Sequence, residues 1–456
     1  MTKVLLIQPH QDIKNKEGGG VAFTPLSLVY LGTVIEDRHQ IKIYDRNLNN
    51  NDEVFLKFLK EYNPDIVGLT SVVSTILFDV MHLGKLIKEV LPKTIIVVGG
   101  VHATVDPDSV LNEPYVDYII RGEGEEAFLE FCDTFEKNPK ELKKLKNINK
   151  NPLRPLVDIN KLKLPNYKLL DLDKYEQFYI NLTRGCVGNC SFCYNVQMWG
   201  KDCKPFVRSY SIEKTIELMK KIVEEYKIKN FHIIDDNFLF FKTRCIEVCN
   251  FLKKYDVNFY TVSRADSIND EVLNALKDAG CHTISIGVES GSQKMLDLLD
   301  KKITVEQNIN AIKLCKKHKI KCHATFMIGL PTETVEELNK TINFIKKYNP
   351  DVPDMHMYNP LPAKLFEYCI SKGLLKRPVT LEEWAKHGGV WGAFKNNVSE
   401  IPEQKLKEAI EQIQHFQFFR KKIKRAVFWI RRGEYEYVFK KVREVFNRRE
   451  DSSANS

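Results

Sequence analysis

Three cysteines lie close together near the middle of the chain, in the run Cys186-Val187-Gly188-Asn189-Cys190-Ser191-Phe192-Cys193. Their C-x3-C-x2-C spacing places three thiolates on one short loop, opened by Thr183-Arg184-Gly185 after a predicted strand. Thiolates this close together suit an iron–sulfur cluster, because each can bind one iron of a [4Fe–4S] cluster. A cluster with three protein ligands leaves its fourth iron open to a small bidentate molecule. The next cysteine, Cys203, lies ten residues further on and is not needed.

A structural zinc site is the alternative interpretation of the cysteine loop. Structural zinc usually takes four ligands from two paired knuckles. No second knuckle is present in the sequence, and three cysteines on one short loop give poor tetrahedral geometry. The cluster is therefore favoured. The cysteines expected to be buried thiols instead are Cys245, Cys249, Cys281, Cys315 and Cys322.

The elements that must position this loop follow from the spacing of apolar residues. From residue 178 onward, short β-prone runs alternate with stretches of helical periodicity. Six strands with helices between them predict a parallel partial barrel, whose chemistry sits at the carboxyl ends of the strands. The predicted strands are 178–182, 230–234, 258–262, 282–286, 322–328 and 354–358.

Residues 1–136 show a similar alternation and predict an open, doubly wound α/β domain, which binds ligands beyond the carboxyl ends of its strands. A Lys- and Asn-rich stretch predicts a linker over 137–177. The barrel then occupies 178–375, and a helical, basic extension occupies 376–456. The predicted strands of the front domain are 4–7, 41–44, 65–69, 95–99 and 116–120.

The composition of the 456-residue chain, 43% hydrophobic and 28% charged, is that of a globular protein and excludes disordered and collagen-like classes. No apolar run approaches the length of a membrane span, and the first one, at 4–7, is too short for a secretory signal. Eleven cysteines in such a chain favour metal binding or buried thiols over disulfides. These features predict a cytoplasmic protein.

The formal net charge of +9 comes from the end of the chain. Residues 416–449 hold twelve lysines and arginines and three glutamates, and Phe416, Phe419, Ile423 and Val427 recur at helical spacing. The favoured interpretation is a helical subdomain packed on the barrel with a solvated basic face. The second is a helix lying peripherally on the anionic inner membrane surface. Nothing resembles a nucleic-acid reader module, so no nucleic-acid partner is expected.

The cysteine loop, placed after the first strand of a six-strand barrel, resembles that of the radical S-adenosylmethionine (SAM) superfamily. The resemblance implies that Cys186, Cys190 and Cys193 bind three irons of a [4Fe–4S] cluster, that SAM chelates the fourth, and that Phe192 lies near the adenine. It also implies that the reduced cluster cleaves SAM to a 5′-deoxyadenosyl radical, which abstracts a hydrogen atom. An external donor such as flavodoxin or ferredoxin would supply the electron.

Polar segments at four later strand ends match the positions of SAM contacts in that superfamily. Carboxylates suit ribose hydroxyls and an ammonium group, and arginine suits a carboxylate. For Asp235 and Asp236, capping of the next helix is an equal alternative for one of the two. Glu333 is expected to be solvated. The residues that this resemblance assigns to SAM are Phe192, Asp235, Arg264, Glu289 and Ser290.

The front domain carries glycines and small hydroxyl residues in the segments 25–28, 30–32, 68–71, 98–104 and 121–125. These segments resemble those of the cobalamin-binding class of the same superfamily, so that the resemblance covers about residues 1–375. The D-x-H-x-x-G cobalt-ligand motif is absent, and cobalamin is therefore expected without a protein histidine on its cobalt. A plain strand-to-helix turn is the alternative for the segment 98–104. The residues assigned to cobalamin are Thr70, Ser71, Gly99, Gly100, His102, Gly122 and Glu123.

The two resemblances together predict an enzyme similar to class B radical SAM methyltransferases, acting on an unactivated carbon of a small-molecule or lipid substrate. They imply that one SAM methylates cob(I)alamin and that a second yields the radical that activates the substrate. Cyclisation, rearrangement or carbon–carbon coupling without methyl transfer is one alternative. An iron–sulfur carrier or sensor is another, although a carrier needs no SAM pocket.

Overall fold

A computed structural model gives the fold. It shows the side chains of the last helix as far as Arg420. Cys203, Trp391, Phe394 and most of the basic segment 416–449 lie outside the described residues. The ranges that the structure describes are 1–11, 22–72, 75–198, 207–387 and 396–431.

Five parallel strands form the sheet of the front domain: β1 (Lys3–Gln8), β2 (Gln40–Asp45), β3 (Ile66–Thr70), β4 (Ile95–Gly99) and β5 (Tyr118–Ile119). Their spatial order is β2-β1-β3-β4-β5, so the winding reverses between β1 and β3. Residues 4–7 of β1 are all buried because helices cover both faces of the sheet. The helices are α1 (Leu26–Ile35), α2 (Asp52–Tyr62), α3 (Ile76–Val90), α4 (Val101–Val105), α5 (Pro107–Leu111) and α6 (Glu125–Lys137).

The predicted linker is an ordered strap between the two sheets. Its short 3₁₀ turns cover Pro139–Lys144, Tyr167–Leu169 and Leu172–Lys174. Tyr167 is fully buried in the barrel core, and its hydroxyl donates to the carbonyl of Tyr179. The strap therefore packs on the barrel rather than hanging free.

The barrel begins with β6 (Tyr179–Ile180). A two-stranded antiparallel ribbon, β7 (Thr183–Arg184) and β8 (Arg208–Ser209), follows this strand. This ribbon, which the apolar pattern did not predict, joins the two ends of the segment that carries the three cysteines. A short helix, α7 (Asn195–Met198), follows the last of these cysteines.

The barrel sheet is parallel, in the order β13-β12-β11-β10-β9-β6, with β9 (Asn230–Ile233), β10 (Asn258–Ser263), β11 (Cys281–Glu289), β12 (Lys321–Ile328) and β13 (Val352–Met357). Five cysteines expected to be buried thiols lie in its helix-facing core. Side-chain capping boxes start two of its helices, at Thr304 and Thr334. The helices are α8 (Ile212–Lys220, extended by a π turn at Lys221–Glu225), α9 (Lys242–Leu252), α10 (Asp270–Asp278), α11 (Gln293–Leu298), α12 (Val305–Lys317) and α13 (Val335–Tyr348).

Within the described part of the chain end, three helices follow the barrel: α14 (Lys364–Ser371), α15 (Leu381–His387) and α16 (Glu403–Arg431). Helix α16 lies against β13 and α13, as expected for a subdomain packed on the barrel. Helix α15 instead returns to the front domain, where Leu381 and Trp384 are fully buried in the core. Phe416 packs on the barrel core, whereas Phe419 is 48% exposed, so the predicted apolar face holds only in part.

No helix in the described ranges combines the length and the apolar character needed to cross a membrane. The α/β class, with a doubly wound front domain, a partial barrel and a helical end, is confirmed. The domain boundaries at 136, 177 and 375 stay a prediction.

Candidate functional site

The cysteine loop projects from the end of the ribbon beside the carboxyl ends of β9 and β10. Cys186, Cys190 and Cys193 are half-buried, whereas the other described cysteines are buried. Burial raises the pKa of the Cys186 thiol, and that of Cys193 to about 12. A cation lies beside them, because Nη1 of Arg264 is 3.9 Å from the Cys190 sulfur. Such a cation favours the thiolate forms that a metal cluster requires.

No three His, Cys, Asp or Glu side chains converge on a single-ion site within the part of the chain that the structure describes.

Two adjacent aspartates at the end of β9 have different environments. Asp235 is buried, and its Oδ1 accepts hydrogen bonds from the backbone N–H groups of Leu182 (2.6 Å) and Thr183 (3.2 Å). Burial raises its pKa to about 6. Asp236 instead opens into a crevice beside Asn195, and enclosure by the crevice walls raises its pKa. Asp235 thus holds the base of the cysteine loop, and Asp236 is the carboxylate that lines the crevice.

A network of charges covers the ends of β10 and β11. Glu289 has a positive φ of 64° and forms a buried ion pair with Lys301, at 2.5 Å. Arg264 donates to the carbonyl of Lys301 at 2.8 Å and to Asp266 at 2.9 Å. Gly287 lies under the ion pair, where a Cβ atom would collide with both charged groups. The predicted residues Arg264 and Glu289 therefore stand together, linked through Lys301.

The front domain presents backbone and small side chains at its own strand ends. Gly100 has a φ of +96°, and a Cβ atom there would lie 2.6 Å from the carbonyl oxygen of Ser71. Thr104 accepts a hydrogen bond from the N–H of Gly122 through its hydroxyl. Only a residue without a side chain fits at Gly100, because the Ser71 backbone occupies the place of a Cβ atom.

Both edges open into one crevice of about 730 Å³. No histidine is among its described lining residues. The front domain and the barrel share it, with lining residues that include Thr70, Gly99, Gly100, Gly122 and Glu123 on one side and Arg184, Gly185, Tyr194, Asn195 and Asp236 on the other.

Comparison with known proteins agrees with this arrangement. Residues 180–345 match the Radical SAM superfamily, and residues 20–131 match the B12 binding domain. An uncharacterised methyltransferase of Pyrococcus horikoshii is 34% identical over 394 residues, which are 82% of this chain and 84% of that protein. The chain belongs to the radical SAM superfamily. Its B12 binding domain places it in the cobalamin-binding class, as predicted.

Other relatives of this radical SAM protein differ in their named reactions. The anaerobic magnesium-protoporphyrin IX monomethyl ester cyclase of Rubrivivax gelatinosus is 30% identical over 335 residues, covering 67% of this chain and 58% of that protein. The structure of the methyltransferase TsrM from Kitasatospora setae, with cobalamin and a [4Fe-4S] cluster bound, has a TM-score of 0.69 at 15% identity and covers 85% of this chain and 82% of its own. That likeness shows a shared fold.

A second group of polar atoms lies near the ends of β12 and β13. Glu333, expected to be solvated, is fully buried, and its Oε2 accepts from the N–H groups of Gly329 (2.6 Å) and Leu330 (3.1 Å). Burial raises its pKa to about 7. Its Oε1 and Oδ1 of Asn359 are buried without a hydrogen-bond partner among the described residues. Phe192 packs on the apolar cluster that includes Leu330.

Three residues with predicted ligand contacts lie in the core instead. His102 is fully buried, 3.0 Å from the hydroxyl of Ser109 and edge-on to Trp384, and burial lowers its pKa to about 4. Ser71 is buried and donates to the carbonyl of Gly99. Ser290 is buried with its hydroxyl 3.0 Å from that of Thr341. These side chains shape the strand ends behind the crevice rather than line it.

Proposed function

We propose that this radical SAM protein uses cobalamin to transfer a methyl group from SAM to an unactivated carbon of a small molecule. The observation that carries the proposal is the single crevice between the two edges. A methyl donor and a radical source can serve one substrate only if their reacting atoms face one space from which water is excluded. A crevice shared by both edges provides such a common space.

The residues of the barrel edge fit a cluster and SAM. Cys186, Cys190 and Cys193 would hold the cluster, with Arg264 balancing its negative charge. Asp236, rather than Asp235, would bind the ammonium group of SAM, because it is the aspartate that opens into the crevice. The bound cluster supplies an electron for SAM cleavage and cobalamin a methyl-transfer centre.

The adenine of SAM fits the second polar group beside Phe192. The unpartnered oxygens of Glu333 and Asn359 are hydrogen-bond acceptors that lack a donor within the described structure, and an exocyclic amine is such a donor. Glu289 and Lys301 would bind the ribose and carboxylate groups from β11. Ser290 would act only by holding the turn.

The front-domain edge fits a corrinoid held by its backbone. Gly99, Gly100 and Gly122 would let the corrin lie against the strand ends, with Thr70 as a polar contact. Glu123 lines the same wall, but both of its carboxylate oxygens accept from arginines, so it would support the wall rather than bind the corrin. We expect cobalamin to bind without a protein histidine on cobalt, since His102 is buried in the core behind the crevice. Ser71 would support Gly99 from behind.

The test is anaerobic and needs no known substrate. The protein is reconstituted with iron, sulfide and hydroxocobalamin, and then SAM and a reductant are added. We expect bound corrinoid, 5′-deoxyadenosine and corrinoid-dependent S-adenosylhomocysteine, the product that SAM leaves on giving up its methyl group. Deoxyadenosine without S-adenosylhomocysteine would contradict methyl transfer and favour cyclisation or rearrangement. A stable cluster with neither product would favour the carrier or sensor.

Two partners belong to the same proposal. SAM cleavage consumes an electron, which an external flavodoxin or ferredoxin would deliver. The basic segment 416–449, with twelve cations, would contact an anionic membrane surface. Co-sedimentation with anionic but not with neutral vesicles is the expected result for that contact, and equal binding to both would contradict it.

A further inference from the structure

Two arginines stand opposite each other at the base of the cysteine loop. Arg184 on β7 pairs directly with Arg208 on β8, and Thr183 pairs with Ser209. Arg184 lies only two residues before Cys186. Any movement of this ribbon therefore moves the first cysteine.

Both arginines bind carboxylates of the front domain. Arg208 forms a two-pronged contact with Glu123, from Nη1 to Oε2 at 2.8 Å and from Nη2 to Oε1 at 2.9 Å. Arg184 donates to Glu123 at 2.8 Å and to Glu125 at 2.6 Å. The side chains of Glu123 and Glu125 are only 6% and 8% exposed. Burial raises the pKa of Glu123, but the two arginines stabilise its negative charge more strongly, so that its pKa is lowered. Charge-assisted bonds with this geometry are strong and directional.

Aromatic side chains close off the group from solvent. The guanidinium of Arg184 lies 4.9 Å from the ring centre of Tyr30, a residue of helix α1 in the front domain. The Tyr30 hydroxyl donates to Asn181 at 2.9 Å and accepts from Tyr210 at 3.0 Å, so it too bridges the front domain and the barrel. The low exposure strengthens the charge pairs and makes the loss of one partner costly.

We propose that Arg184, Arg208, Glu123 and Glu125, named here the neck clamp, are positioning residues that set the place of the cysteine loop relative to the corrinoid-binding edge. The inference rests on the proposed function for its role. Glu123 follows Gly122 on the crevice wall, and Arg184 precedes the cluster ligands on the opposite wall. The clamp thus joins the two walls directly at the point where two cofactors must face each other.

The first test uses the protein without cofactors. Hydrogen exchange of amides in 183–198 is compared between the wild type and the variants Glu123→Gln and Arg208→Lys. We expect exchange about ten- to a hundredfold faster in each variant, because a charged hydrogen bond at the ribbon is lost. The double variant is expected to be no faster than the more affected single variant, since both changes break one contact.

The matched control is Arg38→Lys. It alters the ion pair between Arg38 and Asp133 on the surface of the front domain. We expect it to leave exchange of the cysteine loop unchanged. Wild-type exchange in both clamp variants, or equal acceleration in the control, would overturn the proposal.

The second test uses the protein loaded with cluster and corrinoid. Magnetic coupling between the reduced cluster and Co(II) depends on their separation and orientation. We expect one defined splitting in the wild type and a broadened one in Arg208→Lys, at equal iron content. An unaltered splitting would overturn the clamp. Absence of methyl transfer in the wild type, together with an altered splitting in Arg208→Lys, would contradict the proposed function and leave the clamp supported.

Discussion

The two strand edges that meet at the crevice consist of different kinds of residue. The front-domain edge offers glycines, a threonine and backbone groups, whereas the barrel edge is crowded with thiols, carboxylates and cations. Under the proposed function, the first edge would recognise a large ligand by shape, because a close backbone approach needs space rather than charge. The second would recognise small charged groups through side chains that hold one another in place.

This difference predicts which kind of substitution harms each edge most. A change in side-chain chemistry should be severe on the barrel edge, and a change in side-chain size should be severe on the front edge. The predictions below test that contrast, beginning with the strongest effect.

Replacement of a cluster ligand is expected to have the largest effect. In Cys193→Ser the cluster loses one of its three thiolates, so bound iron should disappear and 5′-deoxyadenosine formation should fall at least about a thousandfold. Iron analysis and product quantification measure both. The control is Cys249→Ala, a buried thiol of the barrel core, which should retain its iron. Full iron in the serine variant would contradict the assignment.

Neutralising Glu333 is expected to change the pH dependence of stability. Burial raises its pKa from 4.5 to about 7, so the folded protein keeps a proton that the unfolded chain loses between these values. Stability therefore falls as pH rises through this window, by about 3 kcal/mol. Glu333→Gln removes that loss and should exceed the wild type in free energy of unfolding at pH 8 but not at pH 4.

Urea unfolding of the cofactor-free protein across this pH range measures the effect. The control is Glu336→Gln, three residues further on, whose side chain is 77% exposed. That variant should keep the wild-type slope. Equal slopes in all three proteins would show that the buried carboxyl does not titrate as its surroundings require.

On the front edge, the added methyl group of Gly100→Ala should weaken hydroxocobalamin binding by about tenfold or more. In this variant, alanine must adopt a backbone with positive φ, which destabilises the folded state, and its Cβ atom lies against the Ser71 carbonyl. Spectrophotometric titration measures the affinity. Gly373→Ala is the matched control, because its φ is also positive, at 68°, but nothing lies within 4 Å of its Cβ position. Equal affinities in the two variants would break the contrast between the edges.

The smallest effect is expected for His102→Asn. Because this histidine contacts Ser109 and Trp384 rather than the crevice, its loss should leave hydroxocobalamin affinity within about twofold of the wild type. The same titration measures it. A tenfold loss would show that the buried imidazole acts on the corrinoid after all.

Much of the fold was predictable because buried parallel strands appear in the sequence as short apolar runs. The positions of the eleven strands in the two parallel sheets and of the cysteine loop followed from that pattern and from spacing. Which of Asp235 and Asp236 faces the crevice did not, since adjacent residues at a strand end point in opposite directions. The pairing of Glu123 with Arg208 joins residues 85 positions apart, so no local signal marks it. The repeated acidic residues of Gly122-Glu123-Gly124-Glu125 are the only hint.

The return of α15 to the front domain also has a consequence for how the chain is made. Leu381 and Trp384 complete a core whose strands all lie before residue 120. A ribosome therefore releases the whole barrel before the front domain can close its own interior. Completion of this core needs a contact between residues almost three hundred positions apart, and contacts of that range slow folding and prolong the exposure of apolar surface. Newly made protein should accordingly depend on chaperones until its last quarter emerges.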